Sequence, residues 1–163
     1  GPLILAGALS LWGVRRATAD PAKSAFVASF ALFALGGVLG YMIQGVNVVI
    51  PAHYHGSTVG VTLAFMGLAY VLLPTLGFAK AEGRMAVWQP YVYGGGQLIH
   101  VLGLAWSGGY GVQRKVAGAE QALVTLPQKL GMGMMGLGGL IAIIGGLMFV
   151  LICLKAMSAR QGR

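Results

Sequence analysis

Acidic residues are scarce in this sequence: three Asp and Glu in 163 residues, against eleven Lys and Arg. Asp20, Glu82 and Glu120 all fall outside the interiors of the apolar runs, so no carboxylate stands where an intramembrane proton relay would need one. Cysteine is reduced to Cys153, deep in the last apolar run, which excludes a disulfide framework and leaves a small core side chain. No zinc-type ligand spacing and no phosphate-cradling glycine loop is present. Charged residues make up only 9% of the chain, and no soluble basic domain exists to hold a polyanion. Nucleic acid is therefore excluded as a partner, and the positive surplus is better explained as a record of membrane orientation.

What remains is apolar. Hydrophobic residues account for 57% of the chain and the mean hydropathy is +0.80, values of an integral membrane protein. A helix needs roughly 20 apolar residues to cross the hydrocarbon core. Four runs meet that length, at about 24–47, 52–78, 88–111 and 129–155. The expected fold is an all-α, polytopic transmembrane helix bundle of about four full spans. A fifth run, residues 1–14, is too short to span; it starts without methionine and reads as the end of a helix begun elsewhere. The chain is accordingly expected to be the C-terminal portion of a longer membrane domain.

The loops give an orientation. Arg15, Arg16, Lys23, Lys80, Arg84, Lys155, Arg160 and Arg163 fall at one end of the expected bundle, and Arg114, Lys115 and Lys129 at the other. The positive-inside rule puts the first group in the cytoplasm, with the C-terminus. The stretch "PAHYHGSTVG", residues 51–60, then lies near the outer face.

Pro51 suits the first turn of a helix, where its missing N–H costs nothing. His53 and His55 follow within the first turns. At ~100° per residue the two rings point ~200° apart, to nearly opposite sides. A single metal held from one helix prefers ligands three or four residues apart, so this pair suits two separate centres, and a histidine nitrogen is a standard axial ligand for haem iron. Gly56 and Gly60, below His53, leave room either for a flat macrocycle or for the close approach of another helix. The plainer alternative is that both histidines cap backbone or meet headgroups.

The words around the pair narrow the choice. "FALGGVLGYMIQGVNVVIPAHYHGSTVGVTLAFMGLAYVLLP" resembles the ninth and tenth transmembrane helices of haem-copper oxidase subunit I, where a Gly-Gly helix precedes a His-aromatic-His helix. "QPYVYGGGQLIHVLGLAWSGGYGVQRK" resembles the eleventh, the final glycine-rich run the twelfth, and residues 1–14 the end of the eighth. The resemblance implies that His53 binds a high-spin haem at the reaction centre and His55 a low-spin haem that feeds it electrons. It also implies that Arg114 and Lys115 meet haem propionates at the outer face. Residues 41–52 contain no Asp, Glu or His, so the magnesium site of many family members is not expected. Lys115 stands where the family has a second arginine and lacks its bidentate geometry. The family's copper ligands and the second ligand of the low-spin haem come from helices this chain does not contain.

The implied function is part of the catalytic subunit of a respiratory terminal oxidase, reducing O2 to water with coupled proton transfer. Two haems are the implied cofactors, with copper ligated by residues outside this chain. The implied partners are chains or an N-terminal part carrying the missing ligands, a cytochrome c or quinol donor, and the lipid bilayer, most naturally a bacterial inner membrane. Nitric oxide reduction within the same superfamily, and a non-catalytic haem-binding or structural membrane subunit, are the alternatives. Among other residues, His100 is expected to bond a carbonyl or Gln97, and Tyr54 to pack or meet headgroups. Tyr41, Gln44 and Asn47 read as interface residues, and Thr58 and Thr62 as bonding back to helix carbonyls.

Overall fold

The computed structural model describes residues 20–113, 115–116 and 122–159, which form four helices and no named strand. They are α1 (Pro21–Tyr41), α2 (Val49–Thr75), α3 (Arg84–Gly109) and α4 (Leu126–Ser158). The short apolar run at 1–14 lies outside the described residues. By length and composition α1, α2 and α4 can each cross a membrane. The fourth expected span, α3, is long enough at 26 residues, but is not among the helices that pass on hydropathy. Gln89, Gln97, His100 and Ser107 dilute it. It packs against all three other helices, so those side chains face protein as well as the bundle's surroundings.

Local chemistry fixes the ends. Pro21 opens α1, and Asp20 Oδ1 accepts from Ala22 N at 2.9 Å, capping it. The turn after α1 uses Gly45 at φ 71°, and Asn47 Oδ1 accepts from Val49 N at 3.0 Å to open α2. α2 closes on a Schellman motif: Gly77 takes φ 83°, Phe78 N donates to Leu73 O and Gly77 N to Pro74 O. α3 closes the same way, with Gly111 at φ 81°, Val112 N on Ser107 O and Gly111 N on Gly108 O. That motif turns the carbonyl of Val112 to accept from Val48 N at 3.1 Å. Asn47 and Gln113 form an isolated antiparallel bridge beside it. Gln128 completes the end: Oε1 accepts from Thr125 N at 3.1 Å while Nε2 donates to Tyr110 O at 3.0 Å. The starts of α2 and α4 and the end of α3 are thus tied at one end of the bundle.

Glycines set the helix spacing. α3 and α4 run antiparallel with backbone nearly on backbone. A Cβ on Gly96 would lie 2.5 Å from Ala142 N, and one on Gly103 2.5 Å from Gly131 O. Gly138 meets the backbone of His100, and Gly145 that of Tyr93. The α4 glycines 131, 138 and 145 recur every seven residues, the period that keeps a seam facing one partner. α1 meets α2 likewise at Gly36 and Gly56. With lipid as solvent there is little hydrophobic drive between helices, so close packing of small residues must hold them.

A buried polar cluster ties α2, α3 and α4 near the opposite end. Gln89 is fully buried; Tyr70 donates to its Oε1 at 2.8 Å, and its Nε2 donates to Gly145 O at 3.0 Å. Tyr70→Phe removes the donor and strands Oε1. We expect a loss of about 1 kcal/mol, the order found for single side-chain bonds within membranes. Thermal melting of the intact detergent-solubilised protein reads this, and an unchanged melting temperature counts against the bond.

Candidate functional site

The two histidines of α2 face different neighbours. The Nδ1 of His53 lies 2.7 Å from the carbonyl oxygen of Gly36 on α1. A carbonyl only accepts, so Nδ1 carries the proton and, in the neutral ring, Nε2 keeps the lone pair. Gly40, one turn further along α1, presses on the same ring: a Cβ there would sit 2.9 Å from Nδ1. α1 therefore offers a bare strip of backbone that seats the imidazole and orients it. His55 turns to α3 instead. Its ring centroid is 4.7 Å from that of His100, with the planes at 63°. The ~200° separation expected from the helix repeat is realised as contact with two different helices.

His100 makes a carbonyl contact of the expected kind, but to α4: its Nδ1 lies 2.9 Å from Met135 O. Gln97 is not its partner; Gln97 Oε1 is buried without a hydrogen bond among the described residues. The space below His53 resolves against a macrocycle. Gly56 abuts Gly36 Cα, and a Cβ on Gly60 would lie 2.8 Å from Phe33 N, so both glycines admit α1.

Lys115 lies in the segment after α3, exposed, with φ 61°, a backbone region that non-glycine residues rarely adopt. The Val48–Val112 and Asn47–Gln113 contacts hold this segment at the histidine end of the bundle. Arg114 lies outside the described residues. Tyr41 and Tyr54 are exposed, at 95% and 58%. Asn47 is consumed in opening α2, and it donates through Nδ2 to Gln44 O at 3.0 Å. Thr62 bonds back to Thr58 O at 3.0 Å, as such residues do inside helices.

Sequence reasoning missed three participants: Gly36 as the carbonyl partner of His53, Met135 as that of His100, and the buried Tyr70–Gln89 cluster. Only the last had a signal, a glutamine and a tyrosine inside apolar runs.

Among the described residues no three His, Cys, Asp or Glu side chains gather to cage a metal ion. Haem is a different case, because the macrocycle fills four positions and asks the protein for one axial nitrogen at a time. A ligating histidine commonly gives its other N–H to a carbonyl, which fixes the ring and its tautomer. His53 meets that requirement through Gly36, so its free Nε2 fits an axial haem ligand; His55 has the His100 ring beside it in place of a carbonyl.

No family model matches the chain. It is 44% identical over 151 residues to a Rickettsia prowazekii (strain Madrid E) protein named "Uncharacterized protein RP382", covering 86% of this chain and 29% of that protein. An Aquifex aeolicus (strain VF5) protein, named "Uncharacterized protein", is 32% identical over 69 residues, covering 42% of this chain and 18% of its own length. The chain thus spans less than a third of the curated relatives it matches. Its fold is shared with a chain in the cryo-EM structure of a heme-copper terminal oxidase dimer, with a TM-score of 0.73 and 19% identity over 88% of this chain and 28% of that one.

Proposed function

We propose that this chain is part of the catalytic membrane subunit of a haem-copper terminal oxidase. In this reading α2 supplies axial ligands to two haems, His53 to the high-spin haem of the reaction centre and His55 to the low-spin haem. The observation that carries it is the opposed seating of the two rings, His53 against α1 and His55 against α3. The shared fold with a heme-copper terminal oxidase chain supports it.

Bound haem, together with copper held by residues outside this chain, would supply the redox chemistry that reduces O2 to water. The residues of this chain hold and orient. The carbonyl oxygen of Gly36 accepts a hydrogen bond from Nδ1–H of His53, which keeps the proton on Nδ1 and leaves the Nε2 lone pair free as a ligand. One helix carries both imidazoles, so their relative placement is as rigid as α2. Lys115, with Arg114 beside it in sequence, brings positive charge to the histidine end, where propionates would be held. The end bearing Lys23, Lys80, Arg84 and Lys155 faces the cytoplasm of a bacterial inner membrane. Electrons come from a cytochrome c or quinol, and the remaining ligands from the rest of the assembly.

The test is a reduced-minus-oxidised spectrum, a carbon monoxide difference spectrum and oxygen uptake on the complete complex containing this chain. We expect one low-spin and one carbon monoxide-binding haem per copy, with oxygen consumption. A complex without haem refutes the proposal. Nitric oxide consumption without oxygen uptake moves the chain to the sister reaction.

A further inference from the structure

We propose that His100 is a positioning residue for His55, setting the plane of its ring from the neighbouring helix. This rests on the reading of His55 as a haem ligand.

The two histidines of α2 are supported differently. His53 rests on peptide backbone, bonded at Nδ1 to Gly36 O and walled by Gly40. Among the described residues no backbone hydrogen bond reaches the His55 ring; its neighbour is another imidazole, edge against face at 4.7 Å and 63°. That imidazole is itself anchored. His100 Nδ1 donates to Met135 O at 2.9 Å, and the backbone of His100 is clamped against Gly138 of α4. The chain of contacts runs from α4 backbone through the His100 ring to the His55 ring, and each link removes a rotation.

A polar ring inside a helix packed against all three of its neighbours is costly, and its Met135 bond alone does not account for it. A leucine there would need no partner at all. A ring placed to fix a ligand does account for it, since supports of this kind tune both affinity and redox properties of the metal they serve. An axial imidazole free to spin about its bond to iron would blur the spectrum and potential of its haem; one clamped by His100 holds a single plane.

The experiment separates the ring from the bond. His100→Asn retains a donor for Met135 O but has no ring, whereas His100→Phe retains a flat ring but no donor. Each is read in the complete complex by electron paramagnetic resonance and redox titration of the low-spin haem, with the carbon monoxide spectrum of the high-spin haem as internal control. We expect His100→Asn to assemble with both haems, yet to shift or broaden the low-spin g-values and displace that haem's potential. His100→Phe should keep the g-values close to wild type, and the carbon monoxide spectrum should stay unchanged in both. A low-spin signature identical to wild type in His100→Asn overturns the proposal and leaves the haem assignment standing. Loss of the assembled complex in both variants assigns His100 to packing alone and also overturns it. Absence of any low-spin haem from the wild-type complex removes the haem assignment, and this proposal with it.

Discussion

Replacing His53 and His55 one at a time should damage two different haem centres. His55→Ala is expected to abolish the low-spin signal and stop electron entry, while the remaining haem still binds carbon monoxide. His53→Ala should do the reverse: the low-spin haem stays reducible, but carbon monoxide binding and oxygen turnover fall by at least about a hundredfold, as losing a first ligand is more severe than the 10–100-fold typical of its support. With the proposed ligand roles the split follows, because His53 is seated on Gly36 and His55 lies against His100 on another helix. A single ~200° step cannot bring both rings to one iron. Difference spectra of each variant in the complete complex decide the matter. Equal losses in both folded variants would point to one shared site, and intact spectra in both would show that neither residue is a ligand.

The second large effect is expected far from any ligand, at Gly96. A methyl there meets only backbone: Ala142 N at 2.5 Å, Gly138 O at 2.8 Å and Ile141 C at 2.9 Å. Backbone of a packed helix cannot rotate aside, so α3 and α4 must separate. Overpacking costs of about 1–3 kcal/mol exceed the helix propensity of up to about 1 kcal/mol that alanine gains over glycine. Gly96→Ala should therefore lower the melting temperature, and Gly96→Leu should prevent assembly of the complex. Gly95 is the control, because a Cβ there has nothing within 4 Å. Gly95→Ala should leave stability level or slightly raised. Equal behaviour of the two alanine variants would contradict the register described above.

Much of this arrangement was legible in the residues, for physical reasons that also mark where legibility stops. Long apolar runs marked four helices, although the third falls short of a span on hydropathy, and the end of α1 was placed near 47 where the helix stops at Tyr41. Met42 to Ile50 is apolar enough to look like more span; the chain instead leaves the helix at Met42 and turns through Gly45 at φ 71°, and hydropathy does not sense backbone conformation. α3 was expected from residue 88 and begins at Arg84, one turn earlier; the charge of Arg84 lowers the apolar window there although Met85, Ala86 and Val87 are apolar. The opposed facing of His53 and His55 followed from the helix repeat alone. Their supports did not, because Gly36 and His100 are distant in sequence and meet the pair only once the helices pack. Gly56 and Gly60 illustrate the same limit: small residues show that something approaches, and only the structure shows that it is α1. The seven-residue glycine repeat of α4 was in plain view as a period, and its partners on α3, Gly96 and Gly103, also lie seven apart.

α3 touches every other helix and carries Gln89 and Ser107, the two fully buried polar side chains among the described residues, yet it is the one that falls short on hydropathy. During synthesis such a segment emerges before α4, the helix against which its glycines lie. A translocon partitions each segment by its own apolarity, so α3 would be a poor candidate to enter lipid alone. The most apolar of the described helices, α4, follows after the connection at 110–125. The two are therefore best released into the bilayer as a pair, with α3 waiting in a protein-lined or aqueous setting until α4 arrives. The close backbone seam between them is then a requirement of biogenesis as well as of the finished bundle.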